Sequence, residues 1–143
     1  MAGDFLTKDD ELQIVAAIQA AEKETSGEIR VHIEASCDKE PFDRAREVFA
    51  QLDMDATKLK NGVLIYMAVN DRKFVICGDQ GIDAVVPADF WDTTKEAMQA
   101  FFRNGDFKSG LLTGIRLAGE KLRAFFPCED DDTNELSNEI SRG

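Results

Sequence analysis

Apolar and polar residues recur along this chain in two distinct periods, and one stretch carries almost no polar residue at all. Leu12, Val15, Ile18 and Ala21 fall at three-residue intervals with Ile14 beside them, which predicts a helix from Lys8 to about Lys23 with one face turned to a core. Thr7 offers a hydroxyl cap, Asp9, Asp10 and Glu11 put negative charge in the first turn, and Thr25-Ser26-Gly27 ends the segment. From Glu28 to Ala35 the period drops to two. Ile29, Val31, Ile33 and Ala35 face one way and Glu28, Arg30, His32 and Glu34 the other, the pattern of a strand towards the edge of a sheet. Pro41 can open a second helix, since its missing amide is not needed there, and Phe42, Ala45, Phe49 and Leu52 line one side of it. Then comes GVLIYMAV, Gly62 to Val69, which only a strand covered on both faces would need. Lys73 to Cys77 repeats that pattern more briefly, and Asn70, Asp71 and Arg72 between the two supply turn chemistry, so the pair predicts an antiparallel hairpin.

A strand, helix, strand succession of this length implies a parallel pair with a right-handed crossover, which places Glu28 and Asn61 at the same edge of the sheet. After the hairpin, Pro87 opens a predicted third helix through about Arg103, with Phe90, Thr94, Met98 and Phe101 on one stripe and Trp91 and Phe102 beside it. Asn104-Gly105 stops it. A fourth helix from about Phe107 buries Leu111, Leu112, Ile115, Ala118, Leu122 and Phe125, with Pro127 just past its end. The expected fold is therefore α/β: a three-layer α/β/α sandwich on a small mixed sheet, a parallel pair plus an antiparallel hairpin, with about four helices. A chain of 143 residues suits one domain, here residues 1–127, able to bury about two-thirds of its unfolded surface. Residues 128–143 hold too few apolar side chains to offset the entropy of ordering and are expected to form a flexible acidic tail.

Charge narrows the partners. The formal net charge of −11 argues against nucleic acid, which needs clustered Lys and Arg, and favours a divalent cation or a cationic protein surface. Glu129, Asp130, Asp131, Asp132, Glu135 and Glu139 stand against Arg142 alone, so the tail carries −5 and the rest −6, which suits a basic protein partner for the tail. Cys37, Cys77 and Cys128 are odd in number, lack Cys-x-x-Cys spacing and have only His32 for company, so reduced thiols are expected rather than a disulfide framework or a zinc site. The N-terminal residues have neither the basic start nor the apolar core of a leader, and no apolar run is long enough for a bilayer. A cytoplasmic monomer without a membrane span is the expectation.

Five motifs in this order resemble the TPM-domain family: Thr25-Ser26-Gly27-Glu28-Ile29 before a strand, Asn61-Gly62-Val63-Leu64-Ile65, Asp71-Arg72-Lys73, Gly78-x-x-Gly81-Ile82-Asp83, and Gly105-Asp106-Phe107 with Gly110-Leu111. That family includes thylakoid-lumen acid-phosphatase-like proteins of photosystem repair and animal modulators of acetylcholine receptors. The resemblance runs from about Leu12 to Pro127 and is that of a stand-alone, bacterial-like member. It implies an α/β/α sandwich, divalent-metal binding in some members, and phosphatase activity in the thylakoid branch. Two departures are expected: a member without the leader and membrane tether common in the family, and Asp83 where the usual pattern has Glu, a shorter carboxylate.

The residues offer one main candidate site. Asp53, Asp55, Asp79 and Asp83, with Asn61, should meet where three connections converge, with Glu28 or Asp89 as further donors. A hard divalent cation, Ca2+ or Mg2+, needs several oxygen ligands on adaptable backbone, and Gly78 and Gly81 would let the main chain approach it. The bland reading of each aspartate is a turn former or helix cap. On this site the chain is read as a divalent-metal-binding regulatory or interaction module; the alternative is a metal-assisted acid phosphatase acting on phosphomonoesters, with Lys58, Lys60 and the Thr25-Ser26-Gly27 amides near the phosphate. A competing place lies beyond the carboxyl ends of the parallel strands, at Ser36, Cys37, Asp38, Asn70 and Asp71, where open α/β sheets commonly bind ligands. His32 is expected at the surface or against a helix, Cys77 in the core, and Trp91 and the late phenylalanines in the core.

Overall fold

The computed structural model describes residues 6–56, 60–127 and 140–142. The first helix, α1 (Lys8–Glu22), opens on a reciprocal cap: Thr7 Oγ1 accepts from the Asp10 amide at 3.0 Å while the Asp10 carboxylate accepts from the Thr7 amide at 3.1 Å. There follow β1 (Glu28–Glu34), α2 (Pro41–Gln51), a 3-10 turn (Met54–Ala56), β2 (Gly62–Ala68) and β3 (Lys73–Gly78). The chain then forms α3 (Gln80–Asp83), α4 (Asp92–Arg103), α5 (Phe107–Phe125) and the two-residue β4 (Ser141–Arg142). The sheet order is β3-β2-β1-β4. β1 and β2 run parallel from Glu28 opposite Gly62 to Glu34 opposite Ala68, and β3 returns antiparallel along β2. Gly62 does open its strand at the edge where Glu28 opens the other, as the crossover requires.

The alternation of β2 sorts its side chains into two cores. Val63, Ile65 and Met67 join Ile29, Val31 and Ile33 of β1 against Ile14 and Ile18 of α1, Met98 of α4, and Leu111, Ile115 and Leu122 of α5. On the opposite face Leu64, Tyr66, Ala68 and Cys77 meet Ala45, Val48 and Phe49 of α2 and Met54 of the 3-10 turn. Three layers result, with α2 alone on one side and α1, α4 and α5 on the other. Cys77 is buried with the second core, and its burial pushes the thiol up to about 11, so it stays a neutral packing group.

Several expectations are corrected. α3 occupies part of the Gly78-x-x-Gly81-Ile82-Asp83 motif, where no helix was expected; four residues are too few for a helical period to show. The helix read from Pro87 begins at Asp92, because the chain first coils through turns in which the Phe90 amide bonds the Pro87 carbonyl at 3.1 Å. Leu12 is 62 % exposed and Phe125 41 %, since a three-residue spacing drifts off the buried face while Ile14 and Ile18, four apart, stay on it. Phe101 also lies exposed, beyond the core stripe assigned to it. Residues 128–139 of the expected tail lie outside the described residues, and Ser141–Arg142 form a strand beside β1. Among the described residues no helix is long and apolar enough to cross a membrane.

Candidate functional site

Three chain reversals meet where β1 and β2 begin and β3 ends. The Glu28 amide donates to the Asn61 carbonyl at 3.3 Å, the Asp79 amide to the Gly62 carbonyl at 2.9 Å, and the Gly81 amide to the Lys60 carbonyl at 2.8 Å. The 3-10 turn folds over the same place: a Cβ on Gly62 would lie 3.2 Å from the Met54 carbonyl, so a side chain larger than hydrogen would push the turn away. Lys60 Nζ donates to the Asp55 carbonyl and fastens the turn to the start of β2. The edge predicted from topology is thus built, and Asp55, Asn61 and Asp79 all belong to it.

The aspartates differ in what they already do. Asp79 is buried and caps α3: its Oδ1 accepts from the Gln80 amide at 2.7 Å. Its Oδ2 is buried as well and has no hydrogen-bond partner among the described residues. Asp83, four residues on, is raised above the usual carboxylate range by partial burial first; Arg46 opposes the rise and Asp79 adds to it. Asn61 is buried with its Nδ2 donating to Ser26 Oγ at 3.3 Å, a bond that ties the α1–β1 connection to β2. Asp53 is exposed at φ 56, the turn role that aspartate tolerates, and Asp55 is exposed on the 3-10 turn. Among the described residues no three His, Cys, Asp or Glu side chains gather as a ligand set. A cation here would rest on Asp79 and Asp83 with carbonyl, amide and water oxygens completing its shell.

The opposite edge is stitched shut at the residues first considered there. Asp71 Oδ2 accepts from the Cys37 amide at 2.7 Å, and the Asn70 amide donates to the Ala35 carbonyl at 2.7 Å. Behind them lies a buried polar network on the side of β1 where the alternation puts its polar residues. Of the two places expected for His32, the surface is excluded: the ring is buried, stacked on Tyr66 with ring centroids 5.9 Å apart. Its Nδ1 lies 3.0 Å from Ser141 Oγ and its Nε2 3.1 Å from Glu34 Oε1. Arg44 of α2 binds Glu34 with two bonds of 2.9 Å, and the Tyr66 hydroxyl donates to the same carboxylate. Opposite charges at Glu34 and Arg44, near the ends of consecutive elements, were the available signal; the tyrosine and Ser141 lie too far along the chain to give one.

A mixed sheet covered on both faces, with an acidic loop edge at the start of its parallel pair, defines the class of domain. The sequence profile of the TPM domain matches residues 2–121, and the chain belongs to that family. Among solved structures, the BA42 protein of the psychrophilic bacterium Bizionia argentinensis, determined by NMR, is 56 % identical, with a TM-score of 0.93 over 99 % of this chain and 97 % of that one. The N-terminal domain of a P. gingivalis protein, 18 % identical, has a TM-score of 0.69 over 86 % of this chain and 80 % of its own. The N-terminal domain of the cg2496 protein of Corynebacterium glutamicum, 14 % identical, has a TM-score of 0.63 over 94 % and 79 %. These two share the fold. No curated protein matches the chain.

Proposed function

We propose that this TPM domain binds a divalent cation, Ca2+ or Mg2+, at the Asp79–Asp83 edge and serves as a regulatory or interaction module. The observation that carries the reading is Asp79 Oδ2, a carboxylate oxygen buried with no hydrogen-bond partner among the described residues. Such an atom costs about 1–3 kcal/mol or more when nothing compensates it, and a hard cation compensates it directly. The upward shift at Asp83, set first by desolvation and in smaller part by Asp79 against the pull of Arg46, is of the kind a bound cation would reverse. Asn61 offers its side-chain carbonyl, and Asp53 and Asp55 on the adjoining connection are the further donors. These groups sit on a four-residue helix and a 3-10 turn, elements whose local order an ion changes most, which is the basis for a regulatory role.

Titration with CaCl2 or MgCl2 should give saturable amide shifts at Asn61, Asp79 and Asp83. Asp79→Asn keeps the helix cap but loses the charge, and should weaken binding by about tenfold or more. A flat titration at those three amides removes the reading. Arg46, whose charge acts on Asp83, favours a second one, since a guanidinium beside a bound ion could hold a phosphate oxygen. Metal-assisted hydrolysis of p-nitrophenyl phosphate should then vanish in Asp83→Asn and in chelator. Turnover that survives both treatments would come from another source.

A further inference from the structure

At the carboxyl end of β2, opposite the aspartate edge, a cavity of about 380 Å3 opens between the β2–β3 hairpin and the α4–α5 corner. Its apolar surface comes from Met67, Phe74, Phe102 and Phe107. Phe74 meets Phe102 edge-on with centroids 4.9 Å apart, so the rings are held in place by one another. Arg72, Lys73 and Arg103 line the same cavity, with Gln99 as a neutral donor, and among the described residues no carboxylate does.

That arrangement runs against the rest of the molecule. The chain has 28 acidic residues to 17 lysines and arginines, so a basic side chain should readily find a carboxylate. Yet Arg72, Lys73 and Arg103 make no ion pair and no side-chain hydrogen bond among the described residues. Gly105 and Phe107 also line the cavity, so α5, 19 residues long, begins at it, with the Asp106 carboxylate already spent on the helix cap, where it accepts from the Ser109 amide at 3.1 Å. Three cations unpaired among the described residues, around a ring-lined cleft in an otherwise acidic protein, select for one chemistry: negative charge joined to a flat apolar body. The position, at the carboxyl end of a parallel strand, is where α/β sheets commonly accept ligands.

We propose that this cleft binds a small aromatic carboxylate, with the ring among Phe74, Phe102 and Phe107 and the anion towards Arg72, Lys73 and Arg103. Nothing in the cation reading of the other edge is needed for it. The test is a titration of the full chain with 2-naphthoate, followed by amide shifts, beside the neutral isostere 2-naphthamide. Saturable shifts should be confined to Phe74, Gln99, Gly105 and Phe107, and the amide should bind about tenfold more weakly. Arg72→Gly removes one charge at a residue whose φ of 53 glycine adopts freely, so its fold is safe. Combined with Arg103→Gln, it should weaken naphthoate by about tenfold or more while shifts elsewhere stay unchanged. Equal affinities for the acid and the amide, or a double variant that binds as well as the parent, would overturn the assignment. A third arm changes Glu129, Asp130, Asp131, Asp132, Glu135 and Glu139 to their amides. Unchanged naphthoate affinity supports a small ligand, whereas a rise of about tenfold would give the cleft to the chain's own acidic segment and end the proposal.

Discussion

Glu34→Ala is expected to lower the free energy of unfolding by about 3–4 kcal/mol, a large share of the 5–15 kcal/mol typical of a domain. Glu34 is 6 % exposed and accepts from Arg44 Nε, Arg44 Nη2 and the Tyr66 hydroxyl, with His32 Nε2 3.1 Å away. Removing the carboxylate leaves a buried phenol without its acceptor and a half-buried guanidinium with only its 3.1 Å bond from Nη1 to Glu47, and the cost is that of the groups left behind. Glu34→Gln keeps the volume and one acceptor oxygen, so about 2 kcal/mol is expected of it. Urea unfolding at neutral pH, with the m-value unchanged, measures both. A Glu34→Ala variant as stable as the parent would mean that the network is not formed.

The same carboxylate sets an acid limit. The Arg44 guanidinium first, against burial and with help from Tyr66 and His32, holds Glu34 down from 4.5 to about 2. Between those values the unfolded chain binds the proton that the folded chain refuses, so stability rises with pH there. The contribution is fully present above about pH 4.5 and is lost as pH falls through about 2, some 3 kcal/mol in all. Two other groups titrate above this window with opposite signs. His32 is lowered from 6.5, chiefly by burial, so protonation of the unfolded chain costs stability below that pH. Glu22 is raised by burial to about 7, so the folded chain gains relative stability as pH falls from there towards 4.5. The difference between parent and Glu34→Gln cancels Glu22 and carries, besides the fall between pH 4.5 and 2, the change at His32, whose Nε2 lies 3.1 Å from Glu34.

This network also shows where the sequence stopped being legible. The hairpin, the crossover and the shared edge of Glu28 and Gly62 follow from apolar runs and turn residues that act locally, and each stands where the pattern puts it. The alternation of β1 gave its two faces correctly but not what covers the polar one. That depends on Tyr66, 32 residues from Glu34, and on Ser141, 109 residues from His32. The aspartate edge was readable because three connections had to converge on it. That Asp79 would spend one oxygen on a cap and bury the other was not, since both outcomes have the same sequence. The basic cleft was hidden for a similar reason: Arg72 and Lys73 sit on the hairpin and Arg103 ends α4, and only the packing of helix on sheet makes them neighbours.

Gly119→Val should cost about 3 kcal/mol, through a contact that side-chain rotation cannot relieve. A Cβ at Gly119 would lie 2.8 Å from the Ala21 Cβ and 3.2 Å from its Cα, so α5 would press on the backbone of α1 itself. To make room the two helices must part, which loosens Ile14, Ile18, Ala118 and Leu122 in the larger core. Gly119→Ala makes the smaller intrusion and gains about 1 kcal/mol of helix propensity, leaving a net loss of about 1 kcal/mol. Gly114, one turn and a residue earlier, is the internal control: the atoms nearest a Cβ there are Sδ, Cε and Cγ of Met98, the flexible end of an unbranched side chain rather than backbone. Gly114→Ala should therefore stay within about 1 kcal/mol of the parent, because propensity offsets the repacking. Urea midpoints of the three variants should rank Gly114→Ala above Gly119→Ala above Gly119→Val. If Gly119→Val unfolds with the parent, α1 is not seated on α5 as described, and the cap at Thr7 anchors a helix that the core can do without.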